Sequence, residues 1–245
     1  MCTLTWKPLD TGYVLFFNRD EQRSRPVALP PRAFEANGVR YLAPTDTARG
    51  GTWLLVNEHG LSLALLNHAT AMRLAPTHPA SRGWLPHHAA DCLDVETAIK
   101  RIATRRLDDV PPFHLIAADA SQASLLTWDG IDATSTQLAA EGCLLTTSSY
   151  QPEVIASQRL ATFARDVGDM ASASVEQLAT FHEHRGDNAA AGIRMSRPDA
   201  CTHSIARIEM SRERQSVRFS YQPQTEISPA MQSTTQHLHL VSRPT

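Results

Sequence analysis

Apolar residues in this chain fall in short runs separated by Pro, Gly and Asn/Asp clusters, a pattern of strands and turns more than of long helices. Thr3–Trp6 and Tyr13–Phe17 flank Lys7-Pro8-Leu9-Asp10-Thr11-Gly12. Pro fixes φ and Gly tolerates positive φ, so the three segments predict a β-hairpin. Folding it about Leu9–Asp10 sets Cys2 opposite Phe17 or Asn18. Residues 22–49 read as irregular, interrupted by Pro26, Pro30-Pro31, Asn37-Gly38 and Pro44, with one short strand over Val39–Leu42. Gly50-Gly51 opens a second hairpin, Thr52–Val56 and Leu61–Leu66, whose second arm is apolar on consecutive positions, as in a strand covered on both faces.

Further on, Asp94 reads as the N-cap of a helix carrying Val95, Ile99 and Ile102 at helical spacing. Phe113–Ala118, Ser124–Trp128, Ala133–Gln137 and Cys143–Thr147 read as strands. Pro152 suits a first helical position, and Val154, Ile155, Leu160 and Phe163 continue that helix to about Val167. Ser174 caps a third helix, to about His184. Residues 186–199 read as a loop, and Thr202–Glu209 with Ser216–Tyr221 as a last hairpin. Hairpins, then helices, then hairpins give an α+β order, and strands apolar on both faces call for covered sheets. A two-sheet sandwich between helical layers satisfies both. Residues 1–222 form one such domain in this reading, and 223–245 a polar, poorly ordered tail.

Composition narrows the function classes. With 23 basic and 25 acidic side chains, the chain is not marked for nucleic acid or a membrane surface, and no apolar run reaches a membrane span. Cys2, Cys92, Cys143 and Cys201 lie too far apart for a Cys-x-x-Cys metal or redox site, and cysteines of this kind suit a reducing, cytoplasmic setting. The pairs His87-His88, His182/His184, Cys201/His203 and His237/His239 lack a second pair at zinc spacing, so no metal is expected. No cofactor motif stands out: Gly50-Gly51 lacks the context of a nucleotide loop.

The candidate chemistry gathers at the first hairpin. It sets Cys2 beside Asn18-Arg19-Asp20-Glu21, so a thiol, a cation and two carboxylates share one strand end. Once Met1 is removed, Cys2 carries a free α-amine. An α-amine titrates near ~8 and a thiol near ~8.5, so the amine can take the thiol proton at little cost. Asp20 is the first candidate to hold the resulting ammonium.

Met1-Cys2, Asn18-Arg19-Asp20-Glu21 followed by Ser24-Arg25-Pro26, and Gly50-Gly51-Thr52-Trp53 resemble the NRDE family, that of transport and Golgi organisation protein 2. The strand into Asn67 and the Ser81-Arg82-Gly83 segment match as well. The family is in turn similar to N-terminal-nucleophile hydrolases of the choloylglycine hydrolase and penicillin V acylase group. That resemblance implies a four-layer αββα sandwich with the nucleophile at the start of a central strand. It implies Cys2 as nucleophile, Asp20 as the residue holding the amine, and Asn67 as an oxyanion donor through its backbone N–H. A hydroxyl at Thr147 or Ser148 stands where the hydrolases have a second Asn, and Arg159 matches a helix arginine. Arg19 directly precedes Asp20, whereas the hydrolases carry that arginine three positions earlier; neighbours on a strand face opposite sides.

The resemblance implies two functions. One is a cysteine amidohydrolase on a linear amide, with Arg19 or Arg159 binding a carboxylate or phosphate of the substrate and Asn18 and His68 lining the site. The other is a binding or trafficking protein for an apolar anionic ligand, haem or acyl-CoA, on the same scaffold.

Overall fold

A computed structural model describes residues 2–74, 79–186, 188–224 and 226–242. The chain opens with β1 (Cys2–Leu9), β2 (Gly12–Gln22), β3 (Leu29–Ala36), β4 (Val39–Thr45), β5 (Leu54–Asn57) and β6 (Ser62–Asn67). A short 3-10 turn over Ala69–Leu74 leads to α1 (Trp84–His88) and α2 (Val95–Ala103). Then come β7 (Phe113–Ala118), β8 (Ala123–Trp128), β9 (Ala133–Gln137), β10 (Cys143–Thr147), α3 (Pro152–Asp166) and α4 (Val175–Glu183). The chain returns through β11 (Ala200–Ser211), β12 (Ser216–Pro223) and β13 (Thr234–His239).

The strands form two antiparallel sheets, in the orders β10-β1-β2-β11-β12-β13 and β3-β4-β5-β6-β7-β8-β9. Three apolar clusters show how they stack. Leu4, Trp6, Leu15 and Phe17 of the first sheet meet Leu54, Val56, Ala64 and Leu66 of the second. Val14 and Phe16, one step along β2, instead pack on Phe163, Leu178 and Phe181 of α3 and α4. Leu55, Leu63 and Leu115 face Val95, Ile99 and Ile102 of α2. Each central strand therefore buries both faces, and the order helix, sheet, sheet, helix is the expected αββα sandwich. The caps follow the sequence: the Asp94 carboxylate accepts from the Thr97 N–H, and Ser174 with Gln177 closes a capping box.

Three local readings are corrected. Residues 22–49 are not mainly irregular: β3 and β4 form a hairpin about Asn37-Gly38, both at positive φ (49° and 81°), the turn an Asn-Gly pair favours. Pro30-Pro31 is tolerated because β3 lies at the sheet edge. Secondly, part of the polar tail is ordered, since β13 pairs with β12 from Ser216↔His239 to Tyr221↔Thr234. Thirdly, the first hairpin turns at Asp10-Thr11, so Cys2 pairs with Arg19 and Thr3 with Asn18. Gly12 sits just past that turn, where β11 comes so close that a Cβ would lie 1.8 Å from the Met210 carbonyl oxygen.

Candidate active site

The register fixes what surrounds Cys2. It lies on β1 between β10 and β2, paired with Thr147 on one side and Arg19 on the other. Paired residues share a face, and Cys2 belongs to the cluster between the sheets. The thiol, the Arg19 guanidinium and the Thr147 hydroxyl thus form a row facing the second sheet. Asn67, at the end of β6, reaches the row: the Thr147 hydroxyl donates to Asn67 Oδ1 at 3.0 Å. The N–H of Leu65 donates to the Trp53 carbonyl and that of His68 to the Pro112 carbonyl. Because strand N–H groups alternate sides, the Asn67 N–H lies on the Trp53 side, past the end of β5. A cavity of about 170 Å³ opens there, lined by Cys2, Arg19, Arg25, Trp53, Asn67 and Arg82 among others.

Burial pushes the Cys2 thiol up from its ordinary value, although the Asp20 backbone N–H bonds to the sulfur and the Arg19 charge opposes the rise. The thiol is therefore protonated at neutral pH and needs a base beside it to react. The Arg19 guanidinium lies over the Trp53 ring, 4.3 Å from its centroid, and 3.7 Å from the Glu21 carboxylate. Arg25 is bound to Asp46 at 2.5 Å and to Glu21 at 3.4 Å. Burial works against the Asp46 charge, but the Arg25 bond outweighs it and holds the carboxyl below its ordinary value. Arg82 donates to the Pro112 carbonyl at 2.9 Å; burial lowers its pKa, with Cys2 and Glu21 opposing.

Asp20 is on the other face of the sheet. Its carboxylate accepts from Arg159 at 3.0 Å and from the Thr202 hydroxyl at 2.7 Å. Arg159 also donates to the hydroxyls of Thr3 and Thr146, at 2.9 and 3.1 Å, and its side chain is fully buried. Asp20 thus approaches Cys2 through the main chain, while its carboxylate faces the helices. Arg159 and Asn18 do not line the cavity, contrary to the expectation of substrate contacts. Asn18 is fully buried and donates to the carbonyls of His182 and Ile193, at 2.8 and 2.9 Å. With its amide nitrogen so engaged, Asn18 Oδ1 accepts from His182 Nδ1–H at 2.7 Å, and the Thr5 hydroxyl donates to His182 Nε2 at 2.8 Å. Burial, aided by the Arg159 charge, brings this imidazole down to about 3, so it is neutral.

His68 is near the row but in a separate cavity of about 160 Å³, beyond the Thr147–Asn67 hydrogen bond. Its ring stacks on His114 at 4.2 Å. Trp53 and Arg82, which the sequence shows only as parts of the Gly50-Gly51-Thr52-Trp53 and Ser81-Arg82-Gly83 matches, line the cavity as well. Their signal was two glycine motifs read separately: Gly51 and Gly83 pack so closely that a Cβ on Gly51 would lie 2.6 Å from the Gly83 backbone, and Thr52 N–H donates to the Gly83 carbonyl. That contact carries Trp53 and Arg82 to the cavity wall. Among the described residues, no group of three or more His, Cys, Asp or Glu is placed to hold a metal, all four cysteines are free, and no helix is long and apolar enough to cross a membrane.

Residues 1–226 match the model of the family described as Transport and Golgi organisation 2. No curated protein matches the chain significantly. Solved structures share its fold at low identity. The Caenorhabditis elegans N-acylethanolamine-hydrolyzing acid amidase ortholog superposes with a TM-score of 0.59 at 8% identity, covering 85% of this chain and 92% of that one. The C2A mutant of conjugated bile acid hydrolase from Clostridium perfringens gives 0.54 at 15% identity, covering 96% and 92%. An arginine-to-leucine variant of the same hydrolase gives 0.53 at 12%, covering 100% and 99%.

Proposed function

The chain belongs to the Transport and Golgi organisation 2 family, and from that premise we propose that it is a cysteine amidohydrolase on a linear amide, with Cys2 as N-terminal nucleophile. One observation carries the reading: Cys2, at the start of a central strand, shares a cavity with Asn67, and Thr147 beside it reaches Asn67. Support comes from the fold, which is that of two proteins named as amide-bond or conjugate hydrolases, one of them solved with a C2A change.

Removal of Met1 frees the Cys2 α-amine, which takes the thiol proton. The sulfur attacks the amide carbon; a C–S bond forms and the carbonyl π pair moves to oxygen. The Asn67 N–H and the Thr147 hydroxyl, turned away from Asn67 Oδ1, donate to that oxyanion. The α-ammonium then protonates the departing nitrogen as the C–N bond breaks, leaving a thioester. Water, deprotonated by the same amine, attacks the thioester; the C–S bond breaks, the acid leaves and the thiol is restored. Asp20, fixed by Arg159 and Thr202 behind the sheet, keeps its main-chain N–H against the sulfur through both steps.

The alternative, binding of haem or acyl-CoA as cargo, finds less support in the geometry. Pockets that enclose whole ligands run to ~300–1,000 Å³, against about 170 and 160 Å³ in the two cavities next to Cys2 and His68. A panel of N-acyl amides, read by amine release, tests the proposal: the wild type turns over at least one and Cys2→Ala none. Equal release by both proteins, or none by either, overturns it.

A further inference from the structure

We propose that Arg19, Trp53 and Arg82 form a subsite for a carboxylate beside Cys2. This goes beyond the hydrolase reading, because the subsite would hold an anion whether or not Cys2 reacts.

Besides Arg25 Nε, which has the Glu21 carboxylate at 3.4 Å, two donor atoms of the described lining residues have no partner. Arg19, with 6% of its side chain exposed, leaves Nη1 without a hydrogen bond, and Trp53, 7% exposed, leaves Nε1 without one. Both residues line the cavity and the guanidinium lies over the indole at 4.3 Å; the two nitrogens are closed to water as the side chains stand, so a ligand meets both after a small side-chain shift. A buried donor without an acceptor is unfavourable, and natural folds seldom leave two side by side. An incoming acceptor relieves both.

The charges point the same way. The described lining residues include Arg19, Arg25 and Arg82 and the acidic residues Asp20, Glu21 and Asp46. Asp20 is paired with Arg159 behind the sheet. Arg25 lies between Asp46 and Glu21, and Glu21 is too far from Arg19, at 3.7 Å, for a hydrogen bond. Two carboxylates therefore face three cations, a surplus that one negative charge balances. A carboxylate suits it better than a phosphate dianion: it brings one charge, two oxygens in the plane a guanidinium prefers, and little bulk for a small cavity. If the hydrolase reading also holds, the substrate is an amide that carries a carboxylate close to the scissile bond.

Propionate is a direct probe, titrated against the full chain at constant ionic strength and followed by ligand-observed NMR. Wild type and Cys2→Ser should bind it saturably and alike, which separates the subsite from turnover. Arg19→Gln should weaken binding at least ~10-fold and Trp53→Phe, which keeps the ring and removes the donor, by a few-fold. Arg82→Gln serves as a further arm should Arg19→Gln fail to fold. Inorganic phosphate should displace propionate poorly. No saturable binding, equal binding in the wild type and the variants, or stronger binding of phosphate overturns the proposal. Propionate binding with no amide turnover would leave the subsite standing and sink only the hydrolase reading.

Discussion

On the inner face of β1 and β2, Arg19 lies beside Cys2 with one guanidinium nitrogen unmatched. On the outer face, one residue along each strand, Arg159 binds Asp20, Thr3 and Thr146, although its Nε also has no partner. The same residue type thus meets two settings across one sheet. Outside, a buried ion pair and a chain of hydroxyls join the sheet to α3, and Asn18 with His182 joins it to α4. Inside, a thiol, a cation and an indole lie along a cavity. A single-residue step in the sequence separates what holds the fold from what meets a ligand, so changes on the two faces should part stability from activity.

The sharpest contrast comes from Cys2→Ala, expected to lower kcat by at least ~10³-fold in the amide assay while the protein stays folded by circular dichroism. Next is Arg159→Met on the outer face. It takes the ion-pair cation from the buried Asp20 carboxylate, leaving the Thr202 hydroxyl in place, and should cost about 3–5 kcal/mol in urea denaturation. Pairing it with Asp20→Asn should recover part of that loss.

How much of this was legible beforehand follows the same division. The αββα order could be read because β2 and β6 are apolar on consecutive positions, a sign that both faces are covered. Alternation also implied that Arg19 and Asp20 part ways, since that needs only period two. Which face each takes depends on register, and register depends on Gly12, whose need is set by Met210, almost two hundred residues away. The placement of Asn18 and Arg159 behind the sheet depends on helices that pack from far along the chain. Arg82 and Trp53 are joined by a glycine–glycine contact between two segments that each look like an ordinary loop. The β3–β4 hairpin was different: Asn37-Gly38 was in plain sight, and the neighbouring prolines outweighed it in the reading, although an edge strand accepts them.

Neighbouring threonines give a finer test. Thr147→Val removes the hydroxyl facing Asn67 and should reduce kcat by ~10²–10³-fold with little change in KM, and Thr147→Ser should keep most of the rate. Thr146→Val, on the Arg159 side, should instead cost about 1–3 kcal/mol of stability and leave kcat nearly intact.

The smallest expected effect is a pH slope. Burial brings His182 to about 3, and His114 and His203 each to about 4, so all three are neutral in the fold. Unfolded histidine titrates near ~6.5, so between that value and the folded ones the unfolded chain binds more protons. Their contribution is complete above ~6.5 and declines as pH falls towards 4 and then 3. Unfolding free energy should therefore drop between pH 7 and 5, and His182→Phe should flatten the slope without removing it.

The central claim is that Cys2 attacks an acyl carbon. Acid-quenched intact mass, followed by peptide mapping after a brief mix with an activated acyl donor such as a p-nitrophenyl ester, tests it directly. The account predicts one acyl group, on Cys2, in chains that have lost Met1, and none on Cys2→Ala. An unmodified Cys2 in Met1-free chains, or acylation that persists in Cys2→Ala, would contradict it.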